Sequence, residues 1–447
     1  MGLHPKPRDL HEVRTDDPIE LSTRVIDEGV ATEPVNRVSN VLTEIDDDVA
    51  VVESFSHMVV FRTDEGLVSF DASGKGTGVA VNEALRGWRT DRVHSLIYTH
   101  GHVDHVGGSG AVLADAEARG YNAPVVVGHE NVPRRLERYD KTSEWNQIIN
   151  RRQFGGVSPR AGLSIAADLP TFLPSDAAWP TVTYQDSMTI NVGGLEMHLH
   201  HGKGETDDHT WAWIPERKAI CTGDLVVWVF PNAGNPQKVQ RFPGKWAAEL
   251  RKMIALEPEL LLPAHGLPVR GTARITRVLT DMADALEGLV RDTVAMMNGG
   301  ASLNEIVHTV KVDDDKISLP WLQPVYDEPE FVVRNIWRLY GGWWDADPAN
   351  LKPSTTSAVA SEVTALAGGS GALVARAQEL ADAGDFRLAC HLIEFAANAD
   401  PADRTVHGAR AEIYRARRAA ESSLMSKGIY AAAMRESEAI ANPTEQE

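Results

Sequence analysis

Ile97–Gly108 reads "IYTHGHVDHVGG". An apolar run, Leu96–Tyr98, leads straight into His100, His102, Asp104 and His105, and two glycines follow. A loop leaving a strand can turn several side chains toward one point. Imidazole and carboxylate together suit zinc and similar divalent ions. Four ligands from six residues crowd a single tetrahedral ion, because so short a chain cannot wrap it. The reading is therefore divided, with His100 and His102 for one metal and Asp104 and His105 for a second. Two ions a few ångström apart need a bridging carboxylate and ligands from distant loops. Each of the following stretches lies at a strand-like end. "GETDDHTW" offers Glu205, with Asp207, Asp208 and His209 as alternatives beside it. "CTGDLV" offers Asp224, placed to bridge, and "LLPAHGLP" offers His265.

Outward from this stretch the chain falls into four parts. Residues 1–39 are polar and aperiodic and read as an arm. Over 40–270, β-branched runs such as "LVSFDASG" and "APVVVGHE" alternate with Gly and Asp turns. Helical segments interleave with them, so layered sheets with helices outside are expected, an α/β architecture. Over 271–438 apolar residues recur at three- and four-residue intervals, which predicts helices. Within that part, 352–370 ("KPSTTSAVASEVTALAGGS") reads as a linker. Residues 439–447 read as a tail.

The bulk of the chain bounds its partners. With 447 residues, 43% hydrophobic and 24% charged, there is ample chain for a packed core. A formal net charge of -19 opposes binding to a phosphate backbone, so no nucleic-acid partner is expected. Two cysteines, Cys221 and Cys390, make no disulfide framework and suit a reducing cytoplasm. The first residues hold no apolar signal core, and no stretch approaches 18 apolar residues, so neither secretion nor a membrane partner is expected.

Thr99–Gly108 resembles the THxHxDHxGG hallmark of the metallo-β-lactamase superfamily at every position, and Thr222-Gly223-Asp224 and Ala264-His265-Gly266 resemble its later motifs. The resemblance implies an αββα sandwich with two metals at the sheet edge, held by His100, His102, Asp104, His105, Asp224 and His265. Most members carry His at the register 19 residues before Asp224, where this chain has Glu205. A glutamate there resembles the alkyl sulfatase branch, in which it ligates a metal. Arg151-Arg152-Gln153-Phe154-Gly155 and the helical text from "EPEFVVRNIW" onward resemble the same branch, the latter its dimerisation domain. That implies an all-α C-terminal domain and a homodimer formed through it. Two features depart from the branch. Its bridging residue is Glu where this chain has Asp224. Many members also continue into a lipid-carrier-like domain that helps accommodate the alkyl chain, for which the sequence to Glu447 leaves no room, against a detergent-like substrate.

The expected chemistry is hydrolysis of an anionic ester, a sulfate ester by this resemblance. Two divalent ions, Zn2+ with Fe or Mn as alternatives, share a hydroxide oriented by Asp104 and Asp224. The branch's sulfate-binding Asn falls on Asn232, and its Arg falls near Gln237, so Lys238 and Arg241 join Asn232 as expected anion contacts. His209 is the expected acid if an alkoxide leaves. Trp211, Trp213, Trp228, Phe230 and Trp246 flank the motifs as an expected apolar slot. A thioester, lactone or phosphodiester is the alternative substrate, favoured by Asp224, and a metal-stabilised scaffold without activity is the non-enzymatic one.

Overall fold

The computed structural model describes residues 17–154 and 170–443. Residues 1–16 of the expected arm, Gly155 and residues 444–447 of the expected tail lie outside these. Contacts divide the chain into two units. The first contains the sheets and runs, with interruptions, to Tyr340; the second comprises Gly341 onward with Ser302–Asn304 and the stretch from Ile148.

The first unit is built on two sheets. One orders its seven strands as β1 (Val41–Asp46), β2 (Val49–Glu53), β3 (Met58–Thr63), β4 (Gly66–Phe70), β5 (Val93–Ile97), β6 (Val125–His129) and β7 (Val182–Tyr184). β1 to β4 pair antiparallel through short turns, and β4 to β7 pair parallel. Parallel neighbours need crossovers, and helices Gly78–Trp88 and Ser109–Ala118 supply two of them. The second sheet holds β8 (Ser187–Val192), β9 (Leu195–Gly202), β10 (His209–Ile214), β11 (Ala219–Gly223), β12 (Leu260–Pro263) and β13 (Val269–Arg270), in the order β13-β12-β11-β10-β9-β8. Only β11 and β12 pair parallel.

Alternation along the strands sorts residues between layers. On β9, Leu195, Met197 and Leu199 enter the core between the sheets, whereas Glu196, His198 and His200 face away. Val51, Phe61, Val68 and Ile97 meet them from the first sheet. Val60, Leu67 and Leu96 face a second core that Leu85, Val112 and Leu136 close from the helices. Helices Pro243–Ala255 and Thr272–Asn298 pack on each other and against β9 and β12. The result is an αββα sandwich. The C-terminal ends of β4 and β5 in one sheet and of β11 and β12 in the other face the same edge, where open α/β sheets bind ligands.

Three expectations are corrected. The arm is not aperiodic throughout, because Pro18–Glu28 is a helix. Asp17 caps it, accepting the amides of Ile19 (2.7 Å) and Glu20 (3.2 Å), and it buries Leu21, Val25 and Ile26. The change to helical text near 271 does not open a new unit. Thr272–Asn298 buries Ile275, Leu279, Met282 and Leu286 as the outer layer of the sandwich, and the first unit reaches Tyr340. The expected linker contains helix Thr356–Leu366, which Thr355 caps by accepting the amide of Ala358 (3.3 Å). The second unit is otherwise helical, with Leu373, Ala377, Ile393, Ala396 and Ile413 in its core. Among the described residues no single helix is long and apolar enough to cross a membrane.

Candidate metal centre

The loops after four strands deliver the ligands. Tyr98 and Thr99 carry the chain off β5 into His100 and His102, and a short helix, Val103–Val106, presents Asp104 and His105. Asp224 follows β11 and His265 follows β12, while Glu205 lies between β9 and β10. The side chains gather in two sets. In each, one nitrogen or oxygen per residue lies within 4.8 Å of all the others: His100, His102, Glu205 and Asp224 in the first, Asp104, His105 and His265 in the second.

Asp224 spans both. Its Oδ2 lies 3.7 Å from His100 Nε2, and its Oδ1 lies 3.3 Å from both His105 Nε2 and His265 Nε2. Asp104 Oδ2 completes the second set at 3.6 Å from His105 Nε2 and 3.5 Å from His265 Nε2. These separations are long for hydrogen bonds. They match ligand–ligand edges about one ion at ordinary Zn–N and Zn–O lengths, which come to about 3.4 Å in a tetrahedron. His105 Nε2 and Asp224 Oδ1 are buried and make no hydrogen bond. Such atoms call for a cation, and the donor set fits a divalent metal in each half.

The surrounding residues aim the ligands. Asp71, just past β4 at φ 59°, accepts the Thr99 amide (2.8 Å), the Thr99 hydroxyl (2.7 Å) and the Nδ1–H of His105 (2.7 Å). That bond turns His105 Nε2 toward the second set. Asp208 Oδ2 accepts the Gly101 amide (3.0 Å) and Arg135 Nε (2.7 Å), holding the loop between His100 and His102 from behind. A Cβ on Gly101 would lie 3.0 Å from Asp208 Oδ2 and Arg135 Cδ, so a larger residue here would have to push this pair back by a few tenths of an ångström. Sequence reading missed both residues. Asp71 carried a signal, an acid ending the strand-like run "LVSFD"; Arg135, in a charged helix, carried none.

Several expected roles change. Asp208 pairs with Arg135 rather than joining a ligand set. His209 is fully buried, its Nε2 accepts the Asp224 amide (3.1 Å), and its ring stacks on that of His100 at 5.1 Å. It buttresses Asp224 and is not placed to protonate a leaving group. Asn232 Nδ2 donates to Glu205 Oε1, and Arg241 Nη1 lies 2.7 Å from the same oxygen while also donating to the Glu205 carbonyl at 2.7 Å. Two of the three expected anion contacts are thus turned onto Glu205. Lys238 is half-buried, with its ammonium 5.9 Å from the Phe172 ring centre. The expected apolar slot is largely core. Trp211, Trp228, Phe230 and Trp246 are buried, and the three indoles donate to Glu249, the Leu267 carbonyl and the Leu225 carbonyl.

The electrostatics separate the two sets. Burial holds His100 and His102 well below the usual histidine range. Burial alone would also lower His105 and His265, but Asp224 and Asp104 outweigh it and raise both. Burial would raise the Asp224 carboxyl, yet His105, His265 and His100 hold it well below normal. Glu205 is pushed up to about 8 by burial, against the pull of Arg241. Lys238 is brought down to about 7 by burial and by Arg241.

Comparison with known proteins agrees with this geometry. Residues 51–265 match the family model of the metallo-beta-lactamase superfamily, and residues 302–439 match that of alkyl sulfatase dimerisation. A linear primary-alkylsulfatase of Pseudomonas sp. is 24% identical over 364 residues, covering 78% of this chain and 68% of the relative. An (R)-specific secondary-alkylsulfatase of Pseudomonas sp. is 22% identical, covering 80% of this chain and 56% of the relative. An alkyl/aryl-sulfatase of Saccharomyces cerevisiae is also 22% identical, covering 80% and 58%. The chain thus spans little more than half the length of most of these relatives. The solved structure of the inverting sec-alkylsulfatase Pisa1 from Pseudomonas sp. shares the fold, with a TM-score of 0.78 at 22% identity over 97% of this chain and 70% of that one. The chain thus carries a metallo-beta-lactamase superfamily domain over residues 51–265, followed by an alkyl sulfatase dimerisation domain over residues 302–439.

Proposed function

We propose that this protein hydrolyses sulfate esters of small alcohols with two divalent ions, zinc first and iron or manganese as alternatives. The observation that carries the reading is Asp224 standing between two complete ligand sets, one of which contains Glu205. When bound, such ions supply Lewis acidity and bring a water to acidity near neutral pH. Asp224 and Asp104 orient the reacting water from the side of the second set. Asn232 and Arg241 fix Glu205, so the first set presents one defined carboxylate oxygen. Lys238, lowered to about 7, receives the ester's anionic group, whose charge raises its affinity for a proton. The chain acts as a homodimer through 302–439, and its two unpaired cysteines suit the cytoplasm.

A second reading has its own support. With Asn232 and Arg241 committed to Glu205, the cradle for a sulfate is thinner than a dedicated anion site, which favours a thioester, lactone or phosphodiester. A panel of primary and secondary alkyl sulfates beside these esters, with released sulfate measured, decides between the two. Sulfate release supports the first; thioester or phosphodiester turnover without it supports the second.

A further inference from the structure

The turn between β2 and β3, residues 54–57, takes no part in the chemistry above, yet three of its side chains meet the second ligand set. Phe55 packs edge-on against the His265 ring, with centroids 5.7 Å apart at 72°. Ser56 Oγ lies 3.0 Å from His105 Nδ1, beside the Asp71 contact. His57 reaches both sides of His265. Its amide donates to the Ala264 carbonyl (2.7 Å), and its Nε2 lies 2.6 Å from the Gly266 carbonyl. Its Nδ1 accepts the Ser54 amide (3.1 Å), so the ring proton sits on Nε2 and points at Gly266. Gly266 takes φ +86°, and a Cβ there would collide with the Trp228 ring. The peptide that carries His265 is therefore pinned between the His57 imidazole and the Trp228 indole.

We infer that this turn is an outer bracket for the second half-site, with His57 as the residue that positions His265. The chemistry is specific to that half. His57 holds the carbonyls flanking His265, Ser56 backs His105, and Phe55 packs on the His265 ring. Partners that orient ligands from outside typically change metal affinity by about 10–100-fold. The inference rests on the two-ion reading above.

The test uses the full chain loaded with zinc, dialysed, and counted for metal per chain, with thermal unfolding followed in parallel. His57→Phe keeps a ring but loses the Nε2 donor; His57→Gln keeps a donor within reach of the Gly266 carbonyl. The wild type is expected to hold two equivalents. His57→Phe is expected to hold one tightly and bind the second about 10–100-fold more weakly, and His57→Gln to recover the second. Two tight equivalents in His57→Phe overturn the bracket, as does equal loss of both. One equivalent in the wild type overturns the two-ion reading and the bracket together, and the wild-type count tells this from failure of the bracket alone. If His57→Phe does not fold, the wild-type ring decides by long-range proton–nitrogen spectroscopy: a proton on Nε2 supports the bracket and one on Nδ1 overturns it.

Discussion

Arg241 Nη1 lies 2.7 Å from Glu205 Oε1, with both side chains almost wholly out of water. A guanidinium so placed neutralises and aims the one carboxylate that separates this chain from superfamily members with a histidine in that register. Burial pushes Glu205 up to about 8, so near neutral pH in the metal-free protein its carboxyl holds a proton and loss of the guanidinium strands no charge. Arg241→Met is therefore expected to lower metal-free stability by about 1–3 kcal/mol, through the donor lost to the buried Glu205 carbonyl, and to weaken metal binding, which needs the ionised carboxylate, about 10–100-fold. Denaturant unfolding and metal counts check this. An unchanged metal content with only a raised KM would instead return Arg241 to a substrate contact.

His209 separates a supporting role from an acid role. Burial holds it down to about 4, so it stays neutral through the physiological range. His209→Gln preserves an acceptor for the Asp224 amide and is expected to keep its metal and a rate within about tenfold of wild type, with the alkaline limb of the pH profile unmoved. A loss of about 10²–10⁴ with metal retained is the signature of a lost general acid.

Metal uptake by the second set should depend on pH. His105 and His265 are both raised, so in the metal-free protein each keeps its proton to higher pH than an ordinary histidine. Binding an ion there must displace those protons. Affinity therefore falls as the pH is lowered through the raised values, and protons are released on binding. Calorimetric zinc titrations between about pH 6 and pH 8, in buffers of different ionisation enthalpy, measure both. An affinity independent of pH, without proton release, contradicts the assignment.

The Arg135–Asp208 pair distinguishes stability from metal placement. Arg135→Met strands a buried carboxylate and should cost about 3–5 kcal/mol. Adding Asp208→Leu removes the stranded charge and recovers part of that. The Gly101 amide, which keeps Asp208 as its acceptor in the single variant, loses it in the double one, so metal affinity is expected to fall there while stability recovers. Recovery of stability with metal affinity intact would reduce the pair to a structural one.

Much of this was legible from the chain because metal ligands sit close in sequence or at strand ends. His100, His102, Asp104 and His105 share one loop, and Asp224 and His265 each end an apolar run. Their division into two sets follows from how little one ion can take from six residues. What surrounds them was not legible. Whether Arg241 faces a substrate or Glu205 depends on loops 36 residues apart, and neither spacing nor composition encodes that. His209 resembled an acid because the text "DDHTW" does not say that its Nε2 is spent on the Asp224 amide. The tryptophans flank the motifs in sequence because strands leading to the site are also core strands. The boundary near 271 misled because an outer helix of the sandwich and a helical domain share the same periodicity.

The most direct test of the central claim, two half-sites joined by Asp224, is metal stoichiometry in paired variants. Wild type, His102→Ala, His265→Ala and Asp224→Ala are reconstituted with zinc, dialysed and counted. The expected result is two equivalents in wild type, one in each histidine variant with the other site intact, and weakened retention of both in Asp224→Ala. A single equivalent in the wild type, lost alike in His102→Ala and His265→Ala, would mean that one ion draws on both sets and would contradict the account.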